Sequence, residues 1–392
     1  MKFSKRAIQL SGSATMAATL KAQELIQQGH DIVLATIGEP DLDVDFEVKK
    51  ALINQVQSHT SRYGSSQGLL STRQALTLWF KKNYGVHYSA KQIIITPGSK
   101  FGLFALMQIL CEHEDEVIIP APYWVSYITL AEMSQATVRI CEPSENYKIT
   151  AANLKKVLSE KSRLLILNSP NNPSGAVYTH EELFNLYQVL KKYPHVTVIC
   201  DDIYNQLMFN SSLRAPSFLD IDDEEFKKQI IIVHGASKSY AMTGWRLGWI
   251  ASSNSECITK LAAFFSQALT CIPDFIQIAA EKALNDGDSF VNEFKIKNQS
   301  RYAWMQKQLQ TIQQIKVYPS EGAFYVWIKL LNHSTSSQEI SDKLLTQHGL
   351  AVVAGEAFGM PYHLRLSVTL SSNDLQKAAS RLKDFFNTTG NK

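Results

Sequence analysis

Lys238 closes the segment His234-Gly235-Ala236-Ser237-Lys238, directly after an apolar run, QIIIV at 229–233. An amine there is either an ordinary solvated side chain or a desolvated base of lowered pKa that can form a Schiff base with a carbonyl compound. Arg246 follows 8 residues later, in Thr243-Gly244-Trp245-Arg246-Leu247-Gly248. Glycines and apolar residues flank it, which argues against a plain surface arginine, and its fork of donors suits a phosphate. Asp201 and Tyr204 follow a second run, VTVIC at 196–200. A carboxylate at the end of a buried strand is costly unless paired; helix capping is the plain alternative. If a helix starts there, the three-residue spacing sets carboxylate and phenol side by side.

Three further strand exits carry polar or aromatic groups. QIIIT (92–96) is followed by Pro97-Gly98-Ser99-Lys100, where free N–H groups at a helix start can hold phosphate; a strand–turn–helix with a serine cap explains the same letters. RLLIL (163–167) leads into Asn168-Ser-Pro-Asn-Asn172-Pro173-Ser174-Gly175, either an irregular turn or a site for the Asn172 amide. Trp124 follows EVII (116–119) and serves as core or as a flat face for a planar ring. Taken alone, these residues point to a phosphorylated ligand and an imine. They do not separate a cofactor enzyme from a lysine-dependent aldolase.

The elements that position these groups are short apolar strands at 92–96, 116–119, 163–167, 196–200 and 229–233, with little alternation. Strands covered on both faces read this way. Helices are expected at 101–111, with Phe101, Phe104, Leu106 and Leu110 on one stripe, and at 153–160 and 180–191. Strands alternating with helices imply right-handed crossovers and a mainly parallel sheet, with ligands beyond the strands' carboxyl ends. The last hundred residues differ: a polar helix at 293–311, strands at 322–328, 350–353 and 363–370, and a helix at 337–348. In 363–370, Leu364, Leu366, Val368 and Leu370 alternate with Arg365, Ser367 and Thr369, the pattern of a half-exposed sheet in a smaller α+β domain.

The 392 residues allow two to three domains or one large α/β unit, and 45% hydrophobic with 19% charged residues is ordinary for a globular chain. A net charge of +3 without a basic run argues against a nucleic-acid partner. Cys111, Cys141, Cys200, Cys257 and Cys271 form no C-x-x-C pair, so reduced thiols in a cytoplasm are expected rather than disulfides or zinc. No signal peptide is read at the N-terminus, and no apolar run is long enough to span a membrane.

SPNNPSG, DDIY and SKSYAMTGWRLG, in that order, resemble the class I aminotransferases, pyridoxal-phosphate enzymes of fold type I. The similarity runs from SGSAT (11–15) to RLSVTLS (365–371). It implies an α/β fold: a large domain (45–285) with a mainly parallel central sheet flanked by helices, and a smaller α+β domain from 1–44 and 286–392. It also implies pyridoxal 5'-phosphate bound through Lys238, whose freed amine would later move the substrate's α-proton. Asp201 would pair with the ring nitrogen, Tyr204 and Asn172 would meet the ring's phenolate oxygen, and Trp124 would stack on the ring. Gly98, Ser99, Lys100, Ser237 and Arg246 would line the phosphate region. Arg365 would clamp the substrate α-carboxylate, with Gly38 giving a backbone N–H. Tyr63 would reach the phosphate of a neighbouring subunit, implying a homodimer with shared sites.

Ser13, Thr15 and Lys100 look like the bacterial aspartate aminotransferases, in which a lysine and a threonine meet the distal carboxylate; a Lys100 that merely lies near phosphate is an equally simple reading of that residue. The implied reaction is ping-pong transfer between an L-amino acid, aspartate or glutamate first, and a 2-oxo acid. An aromatic, alanine, kynurenine or prephenate-type aminotransferase, or a C–S lyase on the same scaffold, is the alternative. A DNA-binding regulator with this fold is disfavoured, because residues 1–30 are too short for the extra domain. Gly235, where several relatives carry a phosphate-binding serine, and Glu321, where a small residue is expected, depart from the pattern.

Overall fold

The computed structural model describes residues 1–4, 7, 8, 10, 12–59, 62–331 and 335–389. Ser11 and Ser61, which open two of the motifs (SGSAT and SRYGSSQG), lie outside them, as do residues 332–334 and 390–392 of the expected smaller domain.

The strands in chain order are β1 Val33–Leu34, β2 Ile93–Thr96, β3 Glu116–Pro120, β4 Thr137–Cys141, β5 Ser162–Asn168, β6 Thr197–Asp201, β7 Ile230–Gly235, β8 Gly248–Ser252, β9 Ile315–Val317, β10 Tyr325–Leu330, β11 Leu350–Ala351, β12 Val353–Ala354 and β13 His363–Ser367. Seven form one sheet in the order β2-β8-β7-β6-β5-β3-β4. Pairs from β4 through β7 are parallel, whereas β8 runs antiparallel to both β7 and β2. Successive residues of these apolar strands split between two cores. Ile94, Val117, Ile119, Leu164, Ile166, Ile199 and Ile231 face one core, with the helices Ser99–Leu110, Ser126–Met133 and Ser255–Ala268. Ile93, Ile95, Ile118, Leu165, Val198, Ile230 and Ile232 face the other, with Leu70–Tyr84 and His180–Leu190. Each such side chain contributes roughly 1.5–3 kcal/mol on burial, so the absence of alternation in QIIIT or QIIIV reflects two covered faces.

Local signals set the helix ends. Thr179 and Glu182 form a reciprocal capping box that starts His180–Leu190. Gly85, at φ +70°, ends Leu70–Tyr84 in the left-handed region, where a side chain would be strained.

A four-stranded sheet, β12-β13-β10-β9, and a parallel pair, β1-β11, complete the molecule, so the N-terminal strand is paired with the C-terminal portion.

Five expectations need correction. Strands β4 and β8 join the main sheet unanticipated, because β4 alternates exposed with covered residues and β8 opens on Gly248-Trp249. The strand expected at 350–353 divides between two sheets. In 363–370 the regular strand ends at Ser367 and all five of its residues are buried, because Arg365 is covered by the Tyr325 and Phe358 rings. The stripe on Ser99–Leu110 is shifted: Leu103, Leu106 and Met107 are buried, while Phe101 and Phe104 pack sideways on Phe265 and Phe264. A turn rather than a helix follows Asp201.

Candidate active site

The carboxyl ends of β2, β5, β6 and β7 open on one cavity of about 520 Å³. Because β8 is antiparallel, its first residue lies at that same edge, paired with Thr96 and Gly235, which brings Arg246 to the site. The cavity wall contains Ser99, Lys100, Trp124, Asn172, Asp201 and Tyr204. It also contains Ser237, Lys238, Arg246, Gly38, Arg365 and, from the N-terminal helix region, Ser13 and Thr15. Two expected residues are not in the wall. Gly98 lies behind Arg246, and Tyr63 is 90% exposed.

Asp201 ends β6 and is 4% exposed. Its Oδ2 accepts a hydrogen bond from the Tyr127 hydroxyl at 2.6 Å, whereas Oδ1 is buried without a partner. Burial raises its pKa to about 6, opposed by the Tyr127 bond, a backbone bond from Ile203 and the Lys238 charge. Asn168 fixes the strand exit, donating to the Asp201 carbonyl at 2.7 Å and accepting from the Asn172 N–H at 2.8 Å.

Lys238 sits in the short helical turn Ala236–Ser239 after β7, and its Nζ donates to the Gly38 carbonyl at 2.6 Å. Desolvation lowers its pKa to about 8; Glu39 works against this, and the cations Arg365, Arg246 and Lys100 add to it. Lys238 is therefore a base poised near neutrality. Lys100 lies 4.9 Å over the Trp124 ring, and desolvation, then Arg246, pull its pKa down.

Arg365 is 2% exposed and, among the described residues, forms no ion pair. Its guanidinium lies between the Tyr325 and Phe358 rings, at 4.5 and 5.0 Å. It donates to Asn172 Oδ1 at 2.9 Å and to the Thr36 carbonyl at 2.7 Å, and Nε is left without a partner. A buried cation without a counter-charge is costly unless an anion arrives. Tyr325 also pairs with Tyr204, hydroxyl to hydroxyl, at 2.8 Å.

On the opposite wall Gly98, at φ +82°, caps the helix Ser99–Leu110, so the serine cap that was the plain alternative for this segment is absent. A Cβ there would stand 2.5 Å from an Arg246 nitrogen, so glycine lets the guanidinium reach the helix start. Arg246 itself has φ +56°, a left-handed conformation uncommon in a non-glycine residue, and its guanidinium donates to the Thr243 carbonyl at 2.9 Å. The departure at Gly235 has a spatial reason. A Cβ there would lie 2.8 Å from Ser99 Oγ, so the Ser99 hydroxyl fills the space that a serine would take. Glu321 is exposed, and its backbone makes the local bonds, to Gly175 and Phe209.

Residues 30–382 match the family described as aminotransferase class I and II. The chain belongs to that family. This aminotransferase is 33% identical to a probable aspartate/prephenate aminotransferase of Rickettsia conorii, covering 97% of each chain. It is 32% identical to the aspartate aminotransferase of Bacillus subtilis, over 98% of this chain and 99% of the relative. Among solved structures, aspartate aminotransferase from Thermus thermophilus with maleate superposes with TM-score 0.92 at 30% identity, covering 98% of this chain and all of that one. The Rhizobium meliloti enzyme gives 0.93 at 28% identity over 99% of both chains. The fold is accordingly that of the fold type I enzymes.

Sequence reasoning missed Tyr127, Tyr325, Asn168 and Thr36. Tyr127 stands three residues after Trp124, a spacing that could have flagged it, and Asn168 stands at a strand exit already read as a candidate site; Tyr325 and Thr36 act from elements that the strand-exit reading did not cover. Among the described residues no cluster of three or more His, Cys, Asp or Glu could hold a metal, and no helix is long and apolar enough to cross a membrane.

Proposed function

We propose that this aminotransferase holds pyridoxal 5'-phosphate in the cavity through Lys238 and moves amino groups between aspartate or glutamate and a 2-oxo acid in a ping-pong cycle. The observation that carries the reading is that a desolvated amine, a buried carboxylate oxygen without a partner and a buried guanidinium without a counter-charge face one cavity. Family membership implies the cofactor, and the donors fit it. Asp201 Oδ1 suits a protonated ring nitrogen, and Trp124 offers a ring-sized face. The helix start at Ser99, with Ser237 and Arg246, suits a phosphate. Once bound, the cofactor supplies an aldehyde carbon that takes the amino group and a ring that accepts electron density.

The chain's own residues do the rest. Lys238, once freed, would take the proton from the substrate α-carbon and deliver it to the cofactor's aldehyde-derived carbon. Asp201 keeps negative charge beside the ring nitrogen. Tyr204 and Asn172 donate toward the ring's oxygen. Arg365 binds the α-carboxylate with its remaining N–H groups, next to the Gly38 backbone. Lys100, with Ser13 and Thr15, meets the distal carboxylate; the structural relative's maleate is also a dicarboxylate. Prephenate is the second acceptor to test, because the Rickettsia relative's name includes it. The exposed Tyr63 supports a homodimer in which that residue reaches the neighbouring copy's phosphate. We further propose a domain division into 45–285 and the combined 1–44 and 286–392, and a cytoplasmic location, in keeping with five free cysteines.

The test is a panel of amino donors. Aspartate and glutamate are expected to exceed alanine and tyrosine in kcat/KM, and a strong preference for alanine or tyrosine overturns the dicarboxylate reading. Lys100→Ala is expected to cost aspartate about 10- to 100-fold, the worth of a charged hydrogen bond, with little loss for alanine. Equal losses for both donors, with weaker cofactor binding, would place Lys100 at the phosphate instead.

Reconstitution adds a pH signature. The amine reacts with an aldehyde only when unprotonated. With Lys238 lowered to about 8, uptake of cofactor by the apoprotein should rise through pH 8 and level off above it. A midpoint above pH 10 contradicts the desolvated amine.

A further inference from the structure

Tyr127 holds the Asp201 carboxylate and takes no part in the cycle described above. We infer that Tyr127 is the positioning residue of Asp201: its phenol occupies Oδ2 and thereby presents Oδ1 alone to the ring nitrogen of the cofactor. This rests on the cofactor reading above. Among the described residues, Tyr127 is the one side chain hydrogen-bonded to that carboxylate, at 2.6 Å, and the other oxygen is buried and unpartnered.

The placement follows from one turn of chain. Tyr127 lies at the start of the helix Ser126–Met133, and its N–H bonds to the Trp124 carbonyl at 3.0 Å. The two rings meet edge to face, 5.4 Å apart at 83°. The turn that offers a flat ring to the cofactor's face therefore also fixes the carboxylate at its nitrogen. Tyr127 is 2% exposed, and burial, with Asp201 beside it, pushes its pKa well above the usual phenol value, so it stays a donor at working pH.

A carboxylate in this environment needs that donor. The ionisable groups that bear on the Tyr127–Asp201 pair are Lys238 after β7, Tyr204 and Asp202 in the turn after β6, and Cys200 within it. Of these, only Lys238 carries a positive charge. With the phenol gone, Asp201 loses a hydrogen bond to its charged form, so its proton affinity rises, and the pair with the ring nitrogen shifts toward a neutral acid beside an unprotonated nitrogen.

The neighbouring residue supplies a control. Tyr84 donates to Asp202 Oδ2 at 2.8 Å, and both groups are buried, yet neither lines the 520 Å³ cavity. Tyr84→Phe thus removes an equivalent phenol–carboxylate bond one residue away from the site.

The experiment compares wild type, Tyr127→Phe and Tyr84→Phe, each loaded with pyridoxal 5'-phosphate, by cofactor dissociation constant, by pH titration of the cofactor's visible absorbance and by the split between kcat and KM. Tyr127→Phe keeps the ring and its packing. It should weaken cofactor binding about 10- to 100-fold, move the acid limb of the titration to higher pH, and lower kcat with little change in the KM for the amino donor. Tyr84→Phe should leave all three at wild-type values. Unchanged affinity and an unmoved acid limb in Tyr127→Phe, or the same shifts in Tyr84→Phe, overturn the role of Tyr127 while leaving the aminotransferase reading intact. A wild-type chain that takes up no cofactor overturns the cofactor reading, and this inference with it.

Discussion

Lys238→Ala is expected to reduce kcat for every amino donor by at least about 10²–10⁴-fold, the usual contribution of a positioned acid–base group. Among the described residues, Lys100 is the one other lysine in the cavity wall, and it lies over Trp124. Lys238→Arg should be no better. A guanidinium keeps the charge but does not lose its proton in a protein, so it can neither join an aldehyde nor carry the α-proton. The loss is chemical rather than structural, because an amine that desolvation lowers to about 8 does not favour the folded state. The melting temperature of the alanine variant's apoprotein should match or exceed that of wild type at pH 7. A variant that retains more than a tenth of wild-type kcat would remove Lys238 from the mechanism.

Arg365→Lys should lower kcat/KM for amino acids about 10²–10³-fold, the range for breaking one partner of a buried hydrogen-bonded charge pair. The change keeps the charge but loses the geometry. Arg365 is held against the Tyr325 and Phe358 rings and tied to Asn172 and Thr36, with Nε still unpartnered. A lysine has no planar fork to fill that slot. The unbalanced cation gives a second readout. A dicarboxylate such as maleate should raise the melting temperature of wild type, since a ligand that binds only the folded state stabilises it, and should raise that of the lysine variant far less. Equal stabilisation of both proteins would contradict the clamp.

The reacting groups were legible because each ends or follows an unbroken apolar run. Once QIIIV and VTVIC are read as strands covered on both faces, Lys238 and Asp201 must stand at the ligand edge of the sheet. Arg246 was legible only as a residue with unusual neighbours. What brings it to that edge is the antiparallel β8, and Gly-Trp-Ile-Ala-Ser carries no mark of its direction. Partners of the reacting groups were hidden for a different reason. Tyr127 and Asp201 are 74 residues apart, and Tyr204 and Tyr325 are 121 apart, so neither phenol announces its partner locally.

Arg365 shows alternation misleading in a definite way. Polar residues on every second position suggested a wet face, but the arginine's face is roofed by two aromatic rings, one from the paired strand β10. Gly235 shows the converse, a departure whose spatial reason, Ser99 in the adjacent space, lies far away in the sequence.

The central claim is that the Lys238 amine is joined covalently to pyridoxal 5'-phosphate. Borohydride reduction of the purified holoenzyme, followed by proteolysis and mass mapping, tests it most directly. A pyridoxyl group on the peptide that carries Lys238, and its loss in Lys238→Ala, is the result expected. A peptide recovered unmodified, or label found only on exposed lysines elsewhere, contradicts the account.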